Sequence, residues 1–141
     1  MQTTETTINL RFWTVKEYHR MAEVGIFDED ERVELLEGNI ICKPKIGTAH
    51  RSAVGRTDYL LKNILINRAW VSIQDPIQLD DYSEPEPEIA VVKIDPLDYA
   101  DHHPKTDEVY LVIEVADTTF KKIAKLKGKL MQHQVLLTIG F

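Results

Sequence analysis

A single cysteine, Cys42, stands among the 141 residues. No internal disulfide can form, and no Cys-rich zinc site can be built. Long apolar runs are missing too, since nothing approaches the ~20 consecutive apolar residues of a membrane span. Met1 to Leu10 has neither a basic start nor an apolar core, so we expect no secretory leader and a cytoplasmic location. No internal repeat or low-complexity tract is visible. With 43% hydrophobic and 28% charged residues, an ordinary globular chain the size of one domain remains.

A positive coat is also lacking: the net charge is −6, which argues against wholesale binding of nucleic acid. The sign is unevenly spread, however. Residues 39–68 carry Lys43, Lys45, Arg51, Arg56, Lys62 and Arg68 against Asp58 alone. Residues 69–119 carry 13 acids against Lys93 and Lys105, and residues 120–141 carry five lysines and no acid. Such blocks are commonly solvated faces. They also suit an acidic cluster set beside basic elements, as metal-dependent chemistry on phosphate requires.

Local signals set the order of elements. Thr14 with Glu17 is a capping box, and Trp13 with Tyr18 has the spacing of a hydrophobic staple. They open a helix expected over 15–24 and stopped at Gly25. Two short apolar segments around Glu37-Gly38-Asn39 read as a hairpin over 32–42. A second helix is expected over 49–67 from the spacing of Ala53, Val54, Leu60, Leu61, Ile64 and Leu65. Three strands follow at 70–73, 88–92 and 109–115, then a lysine-rich helix over about 120–131 capped by Asp117-Thr118-Thr119. The fold class is α/β, a mixed sheet flanked by helices.

Two acids stand out by position. Glu88 opens one strand directly after Pro87, and Glu114 interrupts the apolar run Leu111-Val112-Ile113-Glu114-Val115. A carboxylate buried there without a partner is costly. Neighbouring strands could bring both acids to one hard cation such as Mg²⁺, with the Val115 carbonyl as a further oxygen ligand. Alternatively, Glu114 faces solvent at a strand end or pairs with a lysine. Spacing does not choose between these.

The strings Tyr82-Ser83-Glu84-Pro85-Glu86-Pro87-Glu88-Ile89-Ala90 and Leu111 to Thr119 resemble a bacterial restriction-endonuclease family long carried as a domain of unknown function. That family lies within the PD-(D/E)XK nuclease superfamily. Trp13 to Tyr18, Arg32 to Gly38 and His50 add to the likeness, which spans residues 11–130 between a tail at 1–10 and an aberrant tail at 131–141. The resemblance implies a restriction-endonuclease-like fold, Mg²⁺ or another divalent cation, and hydrolysis of a phosphodiester by a metal-activated water. It implies nucleic acid as partner, DNA before RNA, no membrane, and room for a homodimer. Glu88 stands where the family has Asp, and Glu114 matches the second acid. Lys127 is the best match for a lysine displaced onto the following helix, because Ala116 occupies its usual place. Glu34 resembles the upstream acid, and His50 is placed at the rim of the site. His50, Arg51 and Lys125 are the expected nucleic-acid contacts. The Glu at 88, and Ile123 and Ala124 where polar residues are expected, favour the alternative of a degenerate, non-catalytic binding module. A carboxylate-pair glycosidase would need no lysine helix.

Family members continue past the lysine helix with Tyr-Ala-x-x-Gly-Ile-x-x-Tyr-Trp, whereas this chain reads Met131 to Phe141. Codons permitted for those residues, read one base out of frame, recover the family pattern. The expectation is a single-base deletion near Leu130, with loss of the C-terminal strand and an uncovered sheet edge. Blander readings fall on the rest. His102-His103 is expected to be solvated, Cys42 a small buried apolar residue, Trp13 and Trp70 packing groups, and Asp80-Asp81 a solvated loop.

Overall fold

The computed structural model describes residues 7–116 and 135–140. Helix α1 (Val15–Glu23) begins with the expected capping box: Thr14 Oγ1 accepts from the Glu17 N–H, and the Glu17 carboxylate accepts from the Thr14 N–H. Strands β1 (Val33–Leu36) and β2 (Asn39–Cys42) form an antiparallel hairpin. Its turn places Glu37 at φ 49° and Gly38 at φ 76°, the left-handed pair that a two-residue hairpin turn needs. Only glycine fits at 38, because a Cβ there would meet the Phe12 Cβ at 2.4 Å.

Helix α2 (Thr48–Ile64) then packs on a four-stranded sheet of order β3 (Trp70–Ile73), β4 (Ile89–Val92), β5 (Val109–Ala116), β6 (Val135–Gly140). The first three strands pair antiparallel, and β6 runs parallel to β5. Within 131–141, expected as an aberrant tail with the C-terminal strand lost, Val135–Gly140 form β6 beside β5. Its apolar, partly β-branched run Val135-Leu136-Leu137-Thr138-Ile139 has the composition a strand needs. The expected lysine-rich helix lies outside the described residues.

The sheet is covered on both faces. Val54 of α2 packs with Val71, Ile89, Val91, Ile113 and Val115 on one side. Ile77, Ala90, Val92, Val109 and Val112 fill the other. Burial on both faces is why β4 and β5 read as nearly continuous apolar runs. In the hairpin, β1 is buried throughout while β2 lies outside it. Cys42, at the end of that outer strand, is therefore exposed and not the buried apolar residue expected. Trp70 is also partly exposed, and Trp13 carries the Arg11 guanidinium over its ring at 4.3 Å. No helix among the described residues is long and apolar enough to cross a membrane.

Candidate metal and nucleic-acid site

The acids are positioned by an extended segment whose backbone has few donors to satisfy. Pro85 and Pro87 have no N–H, so the remaining groups decide the docking. Glu84 N–H donates to the Leu35 carbonyl at 2.8 Å, and Glu86 N–H donates to Glu34 Oε2 at 2.9 Å. The segment is thereby laid along β1. Glu34 is fully buried, Glu84 and Glu88 are buried, and Glu86 is held by Lys43 Nζ at 3.0 Å. Tyr18 registers this concentration of negative charge. Burial, and then Glu86, Glu84 and Glu34, push its hydroxyl up to about 12.

Glu88 is clamped from two directions. Gln74, the residue after β3, donates through its N–H to the Glu88 carbonyl at 3.1 Å and through Nε2 to Glu88 Oε2 at 2.9 Å. From α2, His50 Nε2 lies 3.0 Å from Glu88 Oε1, with both side chains almost fully buried. On the next strand, the β4–β5 register pairs Ile89 with Ile113 and Ala90 with Val112. Continued by one residue beyond β4, that register would set position 114 opposite position 88. The two acids are 5% and 7% exposed. Two carboxylates side by side and out of water call for compensating positive charge. The oxygen donor set suits a hard divalent cation.

A basic cavity lies beside Gln74, the hydrogen-bond partner of Glu88. Arg32, Lys45 and Arg51 line a space of about 670 Å³ together with Asp30, and Gln74 forms part of its wall. Gln74 thus connects the cavity to Glu88. Arg51 is exposed, as a phosphate contact must be. His50, expected at the rim, is instead buried against Glu88. It precedes Val54 by one helical turn and shares that residue's inward face.

Of the residues singled out in the sequence, α2 brings His50 to Glu88, and the β4–β5 register, continued by one residue, sets position 114 opposite position 88. Glu34 holds the same segment two residues upstream, at Glu86. Val115 is buried in the sheet core and pairs in register with Ile139 of β6. Lys125 and Lys127 lie outside the described residues, as do Ile123 and Ala124. Gln74 escaped the sequence reading. Its only signal was a position equidistant with Glu88 from the β3–β4 connection.

The paired histidines are not simply solvated. His102 Nδ1 sits 2.7 Å from Asp101 and its Nε2 3.2 Å from Glu108. Hydrogen bonding to Asp101, and then to Glu108, raises its pKa. His103 turns toward His19.

Comparison with known proteins agrees with this architecture. The Uma2 family, described as "Putative restriction endonuclease", matches residues 15–136. A crystal structure from Anabaena variabilis, titled as a "putative nuclease belonging to DUF820", is similar with a TM-score of 0.67 at 16% identity. The match covers 90% of this chain and 73% of that one. No curated protein matches the sequence. With most of its length matched by the family, and a fold shared with a nuclease-titled structure, the chain belongs to the Uma2 restriction-endonuclease family.

Proposed function

We propose that the protein is a metal-dependent endonuclease that hydrolyses phosphodiester bonds in nucleic acid, DNA before RNA. The observation that supports this reading is the β4–β5 register, which continued by one residue sets the buried acids Glu88 and Glu114 opposite each other, with Gln74 linking Glu88 to a basic cavity. In this scheme Glu88 and Glu114 hold the cation, Mg²⁺ by its preference for oxygen ligands, with the Val115 carbonyl available as a further oxygen. Such an ion supplies Lewis-acid polarisation and a more acidic water. The chain's own groups do the rest. His50 and Gln74 fix the Glu88 arm, which is one methylene longer than the Asp usual in the family. Glu34 holds the acid-bearing segment through Glu86. Arg51 and Lys125 bind phosphates, and Lys127 stabilises charge on the phosphate under attack.

A second reading has its own support. Both Glu88 oxygens already face protein groups, His50 on one and Gln74 on the other, as suits a non-catalytic binding module. Cleavage of plasmid DNA across a Mg²⁺ titration, with wild type and Glu114→Gln, separates the two. An endonuclease cleaves only with the cation, and the substitution lowers cleavage by more than ~100-fold, beyond the loss expected for a group that merely supports a metal ligand. Salt-sensitive DNA binding without cleavage by wild type at any Mg²⁺ concentration would favour the binding module.

A further inference from the structure

A second set of ligating side chains converges away from the Glu88–Glu114 pair. His19 comes from α1, Glu84 from the extended segment, and His103 from the loop before β5. Their ligand atoms all lie within 4.8 Å of one another. His19 Nε2 is 2.7 Å from Glu84 Oε1 and 2.9 Å from Oε2. The His19 and His103 rings meet edge to face with centroids 6.0 Å apart. Glu84 is 3% exposed, so its carboxylate has little access to water.

We propose that His19, Glu84 and His103 form a binding site for a transition-metal ion of the Zn²⁺ class. Two imidazoles and one carboxylate are a donor set for zinc and its neighbours, whereas Mg²⁺ takes oxygen ligands and avoids nitrogen. A His–Glu ion pair alone would account for His19 and Glu84, but not for a second imidazole at ligand distance. Among the described residues, no hydrogen bond to the His103 ring competes with that role. An ion has a route in, because His19 lines a cavity of about 480 Å³ with Lys16, Asp81 and Tyr82.

The second His-acid group, Asp95, His102 and Glu108, has its donors engaged within the protein. Asp95 Oδ2 accepts the N–H groups of Leu97 and Tyr99, Glu108 Oε2 accepts that of Lys105, and His102 bridges Asp101 and Glu108. It serves as an internal control.

A bound ion would tie α1, the acid-bearing segment and the loop at 101–105 together, although His19 and Glu84 are 65 residues apart in the chain. Zinc would then act as a cross-link and stabilise the folded state by mass action.

The test is calorimetric titration of Zn²⁺ into the chelator-stripped full chain, with excess Mg²⁺ present to occupy any hard-cation site. Parallel melting curves are recorded with and without Zn²⁺. Wild type is expected to bind one equivalent and to melt at higher temperature with Zn²⁺. His103→Ala, at a half-buried loop position, should weaken binding at least ~10-fold and abolish the thermal shift. His102→Ala should leave both unchanged. Absence of Zn²⁺ binding by wild type, or binding that His103→Ala leaves intact, would overturn the proposal. So would binding lost equally in His102→Ala.

Discussion

His50 on α2 and Glu88 at the head of β4 meet at 3.0 Å in the protein interior. The contact joins helix α2, which packs on the sheet, to the first acid of the candidate site. Removing His50 takes away a close neighbour of a buried carboxylate oxygen. His50→Ala should therefore destabilise the fold by about 1–3 kcal/mol in urea unfolding. It should also raise the Mg²⁺ concentration needed for half-maximal cleavage. An unchanged unfolding midpoint would mean that the contact contributes nothing.

The hairpin holds the acid-bearing segment through the Leu35 carbonyl. Leu35 is fully buried, whereas Leu60 on α2 is 57% exposed. Leu35→Ala should cost about 2–5 kcal/mol through the cavity it leaves. Leu60→Ala should stay within about 0.5 kcal/mol. Equal effects in paired urea melts would contradict this placement of the core.

Thr14 caps α1 reciprocally with Glu17. Thr14→Ala should lower stability by about 1 kcal/mol. Gly38→Ala should cost more than about 1 kcal/mol, since it combines a left-handed backbone with the clash against Phe12. Chemical denaturation ranks the two directly.

Arg51 lines the basic cavity beside Gln74. If it contacts phosphate, Arg51→Ala weakens DNA binding evenly across sequences. It also reduces the slope of log K against log salt by about 1. Fluorescence anisotropy at several salt concentrations reads this slope, and an unchanged value would remove Arg51 from the interface.

Much of the fold was legible because the decisive signals are local. The Thr14–Glu17 box set the start of α1, and Glu37-Gly38 set the hairpin turn. The apolar runs at 70–73, 88–92 and 109–115 matched β3, β4 and β5 to within a residue. Glu88 and Glu114 were recognisable as acids in apolar strands, but their opposition across the sheet depends on antiparallel register, which neither segment encodes alone. The burial of His50 follows from its phase relative to Val54 along α2, a relation visible in the sequence once the packed face is known. Gln74, His19, Glu84 and His103 come together only through tertiary packing of distant segments. Cys42 was misjudged because an apolar strand sequence does not say which strand of a hairpin faces outward.

In the proposed function Glu88 and Glu114 share one hard cation. The most direct measurement is an anomalous difference map from crystals of the protein soaked in Mn²⁺ as a Mg²⁺ substitute. A peak within ligand distance of both carboxylates, lost in Glu114→Gln, is expected. A peak seated elsewhere, with neither acid as ligand, would contradict it.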